Sequence, residues 1–286
     1  MQIIVGKGNI GMDLKLELER RGTSAVILTR SEGFDYPRDF TKLLDLDPEC
    51  IWVPAGAGSV SEAKHNFEDV VRTHVLMPLD LLRKLPPKIG VVLFSSDYAA
   101  DEANPGNPRL SNPCPRSLYA MTKVWMEQGA RLINRPNGKV VRVGSVYGRH
   151  FYDKTFPGKL HQRFPNPCTV ELPSNMVVPT PSEWIAQVLV RNYQKLMMND
   201  ETVHHVAPSG CISVHQWGKK ILGEDYKIQV KGADAERPMG SALGCTLEEP
   251  PHWEDLWNSP WWGERTRPLD TVRPYNGDQI LPVVDG

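Results

Sequence analysis

The chain opens on a short apolar run, QIIV at residues 2–5. GKGNIG follows, and then MDLKLELERRG, in which Leu14, Leu16 and Leu18 stand among charges and Gly22 closes the segment. That order reads as strand, glycine turn and helix with a glycine stop. Further apolar runs lie at residues 24–29 (SAVILT), 50–58 (CIWVPAGAG), 89–96 (IGVVLFSS) and 139–148 (KVVRVGSVYG). These runs are nearly continuous rather than alternating, as in strands of a parallel sheet covered on both faces. Between them, residues 67–85 carry apolar side chains at helical spacing, and a further helix is expected from Tyr119. Strand and helix alternate, which predicts an α/β fold: a doubly wound parallel sheet of Rossmann type.

From about residue 150 the pattern loosens. Residues 149–167 are rich in Pro, Lys and aromatic side chains, and residues 182–198 read as a helix. We expect a dinucleotide-binding domain over residues 1–150. Residues 151–286 should form mainly a smaller C-terminal substrate lobe, with segments returning to the sheet. Trp253, Trp257, Trp261 and Trp262 sit in a Pro-rich stretch, and a small hydrophobic core is expected for them.

Charge narrows the classes of partner. Lys and Arg number 33 and Asp and Glu 34 in 286 residues, so no basic excess points to nucleic acid. No apolar run is long enough to span a membrane. The first residues lack a basic stretch followed by a long apolar one, so a cytoplasmic protein is expected. The five cysteines are scattered and lack C-x-x-C spacing, which argues against a disulfide framework and against a metal site. His204 and His205 adjoin, but neighbouring strand residues face opposite ways, so a structural role is expected.

Gly6, Gly8 and Gly11 form G-x-G-x-x-G around Asn9 and Ile10, between a strand and a helix. In that context the first glycine allows the turn, the second lets the backbone approach a pyrophosphate, and the third lets helix and strand pack closely. After the second strand an acidic residue would bind the ribose hydroxyls of NAD. Thr29 and Arg30 hold that place, so NADP is favoured over NAD, with Glu32 as the group that could still serve NAD.

RSLYAMTKVW at residues 116–125 sets Tyr119 and Lys123 four apart, on one helix face. An ammonium beside a phenol lowers its pKa, which makes Tyr119 a candidate acid or base. Ser95 and Ser96 end the strand ahead of that helix, where ligands sit in such sheets. Ser96, Tyr119 and Lys123 in this order resemble the catalytic set of short-chain dehydrogenases/reductases, in their extended branch. FSSDYAADE, YAMTK, RVGSVYG, VPTPSEWIA, HHVAPSG and RPLDT resemble, in order, segments of the dTDP-4-dehydrorhamnose reductase group.

The resemblance implies that Gly6, Gly8, Asn9, Ile10, Gly11, Thr29, Arg30, Asp39, Phe40, Ala55, Gly56 and Ala57 line the cofactor. It implies a nucleotide-sugar substrate near Ser95, Asp97, Ser145 and Tyr147. Arg149, His150, Lys154 and Arg267 are candidates for its diphosphate, against the alternative of plain solvated loops. The implied activity is NADPH-dependent reduction of a nucleotide-linked 4-keto sugar, with Tyr119 as proton donor, Lys123 on Tyr119 and the nicotinamide ribose, and Ser96 on the carbonyl oxygen. Alternatives are an epimerase of the same family and a non-catalytic NADP-binding regulator. A homodimer formed through the helices at residues 67–85 and 119–133 is also implied. The chain departs from the pattern at His74, where Asn is usual, at Ser145, at GAGSVSEAK and in the Trp-rich stretch.

Overall fold

The computed structural model describes residues 1–56, 60–100, 113–238 and 244–258. Its centre is a parallel sheet of six strands: β1 (Gln2–Val5), β2 (Ala25–Leu28), β3 (Cys50–Val53), β4 (Gly90–Ser96), β5 (Gly138–Val143) and, later in the chain, β10 (Val203–Val206). The spatial order is β2-β1-β3-β4-β5-β10. The chain steps from β1 to β2 on one side and then returns to lay β3 on the other. That reversal creates a crevice at the carboxyl ends of β1 and β3, where ligands of open α/β sheets bind.

Helices cover both faces. α1 (Asn9–Arg20) follows β1, α2 (Phe40–Asp45) precedes β3, and α3 (Val60–His65), α4 (Phe67–Val71) and α5 (Met77–Lys84) lead to β4. α6 (Leu118–Ile133) precedes β5, with Ser117 accepting from the Ala120 amide as its N-cap. The single helix expected over residues 67–85 is widened by a π turn at Arg72–Leu76. Pro78 cannot donate a hydrogen bond back to the His74 carbonyl, and the widened turn lies where that bond is missing.

Two apolar clusters pack the faces of the sheet. One holds Ile4, Leu14, Trp52, Val92, Val141, Ile185 and Leu189; the other holds Ile3, Ile51, Leu81, Val91, Leu93, Met126 and Val140. The alternation Ile3/Ile4 and Val91/Val92 sends neighbouring side chains to opposite faces, which is why these strands read as unbroken apolar runs.

After β5 come β6 (Ser145–Tyr147), α7 (Phe156–Arg163), β7 (Thr169–Leu172), β8 (Met176–Val177) and β9 (Pro179–Pro181). α8 (Ser182–Arg191) and α9 (Tyr193–Met198) return to the sheet ahead of β10. β11 (Ile212–Ser213), α10 (Val214–Leu222), β12 (Lys227–Val230) and α11 (Trp253–Trp257) follow. Three two-stranded pairings, β6 with β9, β7 with β12 and β8 with β11, frame a third cluster around Tyr147, Leu172, Trp217, Trp253 and Trp257. Trp253 and Trp257 are thus core residues, as expected; Trp261 and Trp262 lie outside the described residues. No described helix is long and apolar enough to cross a membrane.

The helix after β1 depends on close approach. A Cβ on Gly11 would stand 2.1 Å from the Gly6 carbonyl oxygen, whereas one on Gly8 would meet nothing within 4 Å. Gly11→Ala should therefore cost about 1–3 kcal/mol and lower Tm by several degrees. Gly8→Ala, at a negative φ of −102°, should leave Tm near that of the wild type. Calorimetry on the two variants checks the contrast; equal Tm values would show that the tight contact carries no weight.

Candidate active site

A cleft of about 750 Å³ lies at the crevice. Its floor is Gly6, Gly8, Asn9, Ile10 and Gly11, with Leu28, Thr29 and Arg30 at the end of β2 and Pro54, Ala55 and Gly56 after β3. Gly6 has φ of +121°, and a Cβ there would meet the Ala55 backbone at 2.8 Å. Gly8 opens α1 with no side-chain cap and no acid in the first turn, so the positive helix end faces the cleft uncompensated. The cradle fits a dinucleotide pyrophosphate by the size of what is missing at Gly8 and by its charge. Asn9 turns its side chain elsewhere: Oδ1 accepts from the Phe151 amide at 2.9 Å and Nδ2 donates to the Phe151 carbonyl at 3.3 Å.

Arg30 donates to both Asp69 oxygens, at 2.9 and 2.8 Å, and Arg72 donates to Asp69 at 3.0 Å. Asp69 thereby holds two guanidinium groups side by side at the mouth. Glu32 pairs with Lys7 at 2.8 Å and accepts from Thr29 at 2.9 Å. Asp39 and Phe40 are displaced from the expected place. The Asp39 carboxylate is buried against Arg38, Lys42 and the Asp35 amide, contacts that hold it far below the usual carboxylate range, and Phe40 packs edge-on to Tyr36. Phe34, Asp35 and Tyr36 line the cleft instead. Ala57 lies outside the described residues.

Ser96, Tyr119 and Lys123 do meet; none of them lines the cleft, but Tyr119 packs against Val70, which does. Ser96 hydrogen-bonds the Tyr119 phenol and donates to Asp97 at 2.8 Å. The Tyr119 ring is gripped edge-on by His74 at 5.5 Å and Tyr98 at 5.7 Å. The Lys123 ammonium lies 5.7 Å from the centre of that ring and donates to the Phe94 carbonyl at 3.0 Å. The expected lowering of the Tyr119 pKa is absent in the protein alone. Burial of the hydroxyl pushes it well up, Ser96 offsets this in part, and the Asp97 charge adds to the rise. Burial likewise lowers Lys123 to about 8, against the pull of Glu127.

Other expected substrate contacts have different partners. Ser95, 3% exposed, donates to Glu127 at 2.5 Å. Tyr147 is 1% exposed and packed against Trp217 and Trp257, so its ring belongs to the small core. His150 is hydrogen-bonded to Asp13 at 2.9 Å, and Arg149 stands 4.0 Å from the same carboxylate. Ser145 is part-buried on β6. Lys154 lines the cleft with its ammonium over the Phe151 ring, and Lys159 joins it there. Arg267 lies outside the described residues. His204 and His205 are both buried; His204 meets the Glu201 carbonyl, and burial lowers it to about 4. Among the described residues no cluster could hold a metal ion.

Sequence reasoning missed the segment after β12. Asn175 holds it through the Asp234 and Pro238 carbonyls, Glu236 pairs with Lys64 of α3 at 2.6 Å, and Arg237 hydrogen-bonds Tyr98. It also missed Glu127, bound by Arg142 at 2.6 Å. The signals were there: Glu127 extends the spacing of Tyr119 and Lys123 by four, and Arg142 is a charge set among the valines of VVRV at residues 140–143.

Solved structures share this fold. A dTDP-4-dehydrorhamnose reductase from Clostridium acetobutylicum superposes with a TM-score of 0.77 at 17% identity, over 90% of this chain and 97% of that one. A dTDP-4-dehydrorhamnose reductase from Bacillus anthracis in complex with NADP gives 0.73 at 17% identity, over 89% and 95%. A UDP-glucose 4-epimerase from Thermotoga maritima with UDP-glucose gives 0.74 at 18% identity, over 93% and 99%. No curated protein sequence matches the chain. The model of the RmlD substrate binding domain matches residues 1–248, nearly the whole of the sheet and its small lobe, and the chain belongs to that family.

Proposed function

We propose that the protein is a cytoplasmic NADPH-dependent reductase of a nucleotide-linked 4-keto sugar. The convergence of Ser96, Tyr119 and Lys123 beside a glycine-floored cleft carries the reading. When bound, the dinucleotide supplies the hydride. Tyr119 holds the proton: burial keeps its phenol protonated, and it gives that proton to the oxygen of the reduced carbonyl. Ser96 donates to the same oxygen and steadies its developing charge. Lys123, as an ammonium at the ring, favours the phenolate that Tyr119 becomes. His74 and Tyr98 shield the ring edges from water. Lys154 and Lys159 on the cleft wall, and Arg237 beside Tyr98, supply cations for a diphosphate.

The test of the chemistry is NADPH oxidation over a panel of nucleotide keto-sugars, in wild type and Tyr119→Phe. The variant loses one hydroxyl and should keep its fold, while turnover falls by about a hundred- to ten-thousandfold. Equal rates would remove Tyr119 from the mechanism. Sugar interconversion without net NADPH consumption would mark an epimerase.

Arg30 and Arg72, paired on Asp69, favour a 2′-phosphate over a bare ribose. Arg30→Asp should weaken NADPH on the order of ten- to a hundredfold and NADH far less. Titration calorimetry with both dinucleotides measures this, and a wild type that prefers NADH would refute the assignment.

Leu118, Trp125 and Leu132 are exposed at a spacing of seven along α6, an apolar stripe on its outer face. We expect it to pair two copies of the chain. Trp125→Glu should turn a dimer into a monomer in light scattering at micromolar concentration; a monomeric wild type would exclude the pairing.

A further inference from the structure

Tyr119, Lys123 and Glu127 are spaced by four and form one line down the inner face of α6. The first two belong to the site proposed above; Glu127 has no part in it yet. It is 0% exposed. Its carboxylate accepts from Arg142 Nε at 2.8 Å, from Arg142 Nη2 at 2.6 Å and from Ser95 Oγ at 2.5 Å. Arg142 itself is 1% exposed.

The strands aim these groups. Ser95 on β4 and Arg142 on β5 are direct register partners, and His205 on β10 is the partner of Arg142 on its other side. The three form a buried polar row across the carboxyl half of the sheet, and His205 Nε2 lies 3.4 Å from Arg142 Nη1. Such a row is costly to bury. An ion pair this dry is often no more stabilising than apolar side chains of the same volume. Fold stability alone therefore gives a weak reason for it.

Position gives a stronger one. Around this face stand Tyr119 and Glu127 from α6, Asp97 beyond β4, Arg142 from β5, His205 from β10 and His74 from the π turn. Glu127 stands one helical turn from Lys123 on the same buried face, where its charge opposes the effect of burial on the amine. A lysine shut into the interior tends to lose its proton. An amine in place of an ammonium would no longer favour the Tyr119 phenolate.

We propose that Glu127 is a positioning residue of the site: clamped by Arg142 and Ser95, it presents a fixed negative charge one turn below Lys123 and keeps that side chain an ammonium. The proposal rests on the roles given to Tyr119 and Lys123, but its primary test does not require a substrate.

The experiment follows the Lys123 ¹³Cε signal against pH in the full chain labelled with ¹³C-lysine, with Lys123→Arg used to assign the peak. Glu127→Gln keeps the shape and removes the charge, and the midpoint should fall by about one pH unit, a tenfold change in the ratio of ammonium to amine. Glu127→Leu combined with Arg142→Met replaces the whole pair by apolar side chains and should give the same fall in a folded protein. Glu127→Asp retains the charge and should bring the midpoint back toward that of the wild type. An unmoved midpoint in both charge-free variants would overturn the proposal. So would failure of both to fold, since the pair would then be a packing element. If a reducible keto-sugar is in hand, the alkaline limb of the turnover profile should move down with the midpoint. A moved midpoint with an unmoved limb would leave the Glu127–Lys123 coupling standing and remove Lys123 from the chemistry.

Discussion

One buried carboxylate ties the two parts of this molecule together. Asp13, 3% exposed on α1, accepts from Ser182 at the start of α8 at 2.5 Å and is hydrogen-bonded to His150 at 2.9 Å. One turn earlier on the same helix, Asn9 binds both backbone groups of Phe151. The helix that presents its positive end to the cleft is thus the anchor for the segment that closes the cleft from the other side. A carboxylate in this setting must keep all its donors, because removal of one leaves a desolvated charge.

The face of α6 that carries Tyr119 and Lys123 obeys a different constraint. There the protein sets polar groups in dry surroundings and lets them restrain one another. Tyr119 is protonated because burial and Asp97 disfavour its anion; Lys123 is weakened by the same burial. Tyr147, Trp217 and Trp257 instead pack ring against ring in the small core.

Local pattern made the sheet legible. Continuous apolar runs, a glycine turn in the right context and a Tyr–Lys spacing of four each depend on neighbours in sequence, and each describes what the chain forms. The failures concern partners far away. Arg149 and His150 follow a strand and look available, yet His150 is hydrogen-bonded to Asp13, more than a hundred residues earlier in the chain, and Arg149 stands 4.0 Å from the same carboxylate. Ser95 looks like a ligand at a strand end, but Glu127 claims it from a helix. Tyr147 lies in a motif that faces substrate by resemblance, and only the distant Trp217 and Trp257 show that its ring is core. Nearer in sequence, Asp39 is paired with its neighbours Arg38 and Lys42, and Phe34, Asp35 and Tyr36 line the cleft.

The π turn at Arg72–Leu76 has a wider consequence. An added residue in a helix advances every later side chain by about 100° around the axis. Ahead of it, Asp69 faces Arg30 and Val70 packs with Ala63 and Tyr119; within it, His74 meets Tyr119 and Thr122; beyond it, Met77 and Leu81 enter the sheet core. One stretch of chain reaches the mouth of the cleft, the Tyr119 ring and the sheet core because its phase is reset midway. Loss of a single residue here would keep the stretch helical and yet turn these faces away from their partners. This helix tolerates changes of side chain far better than changes of length.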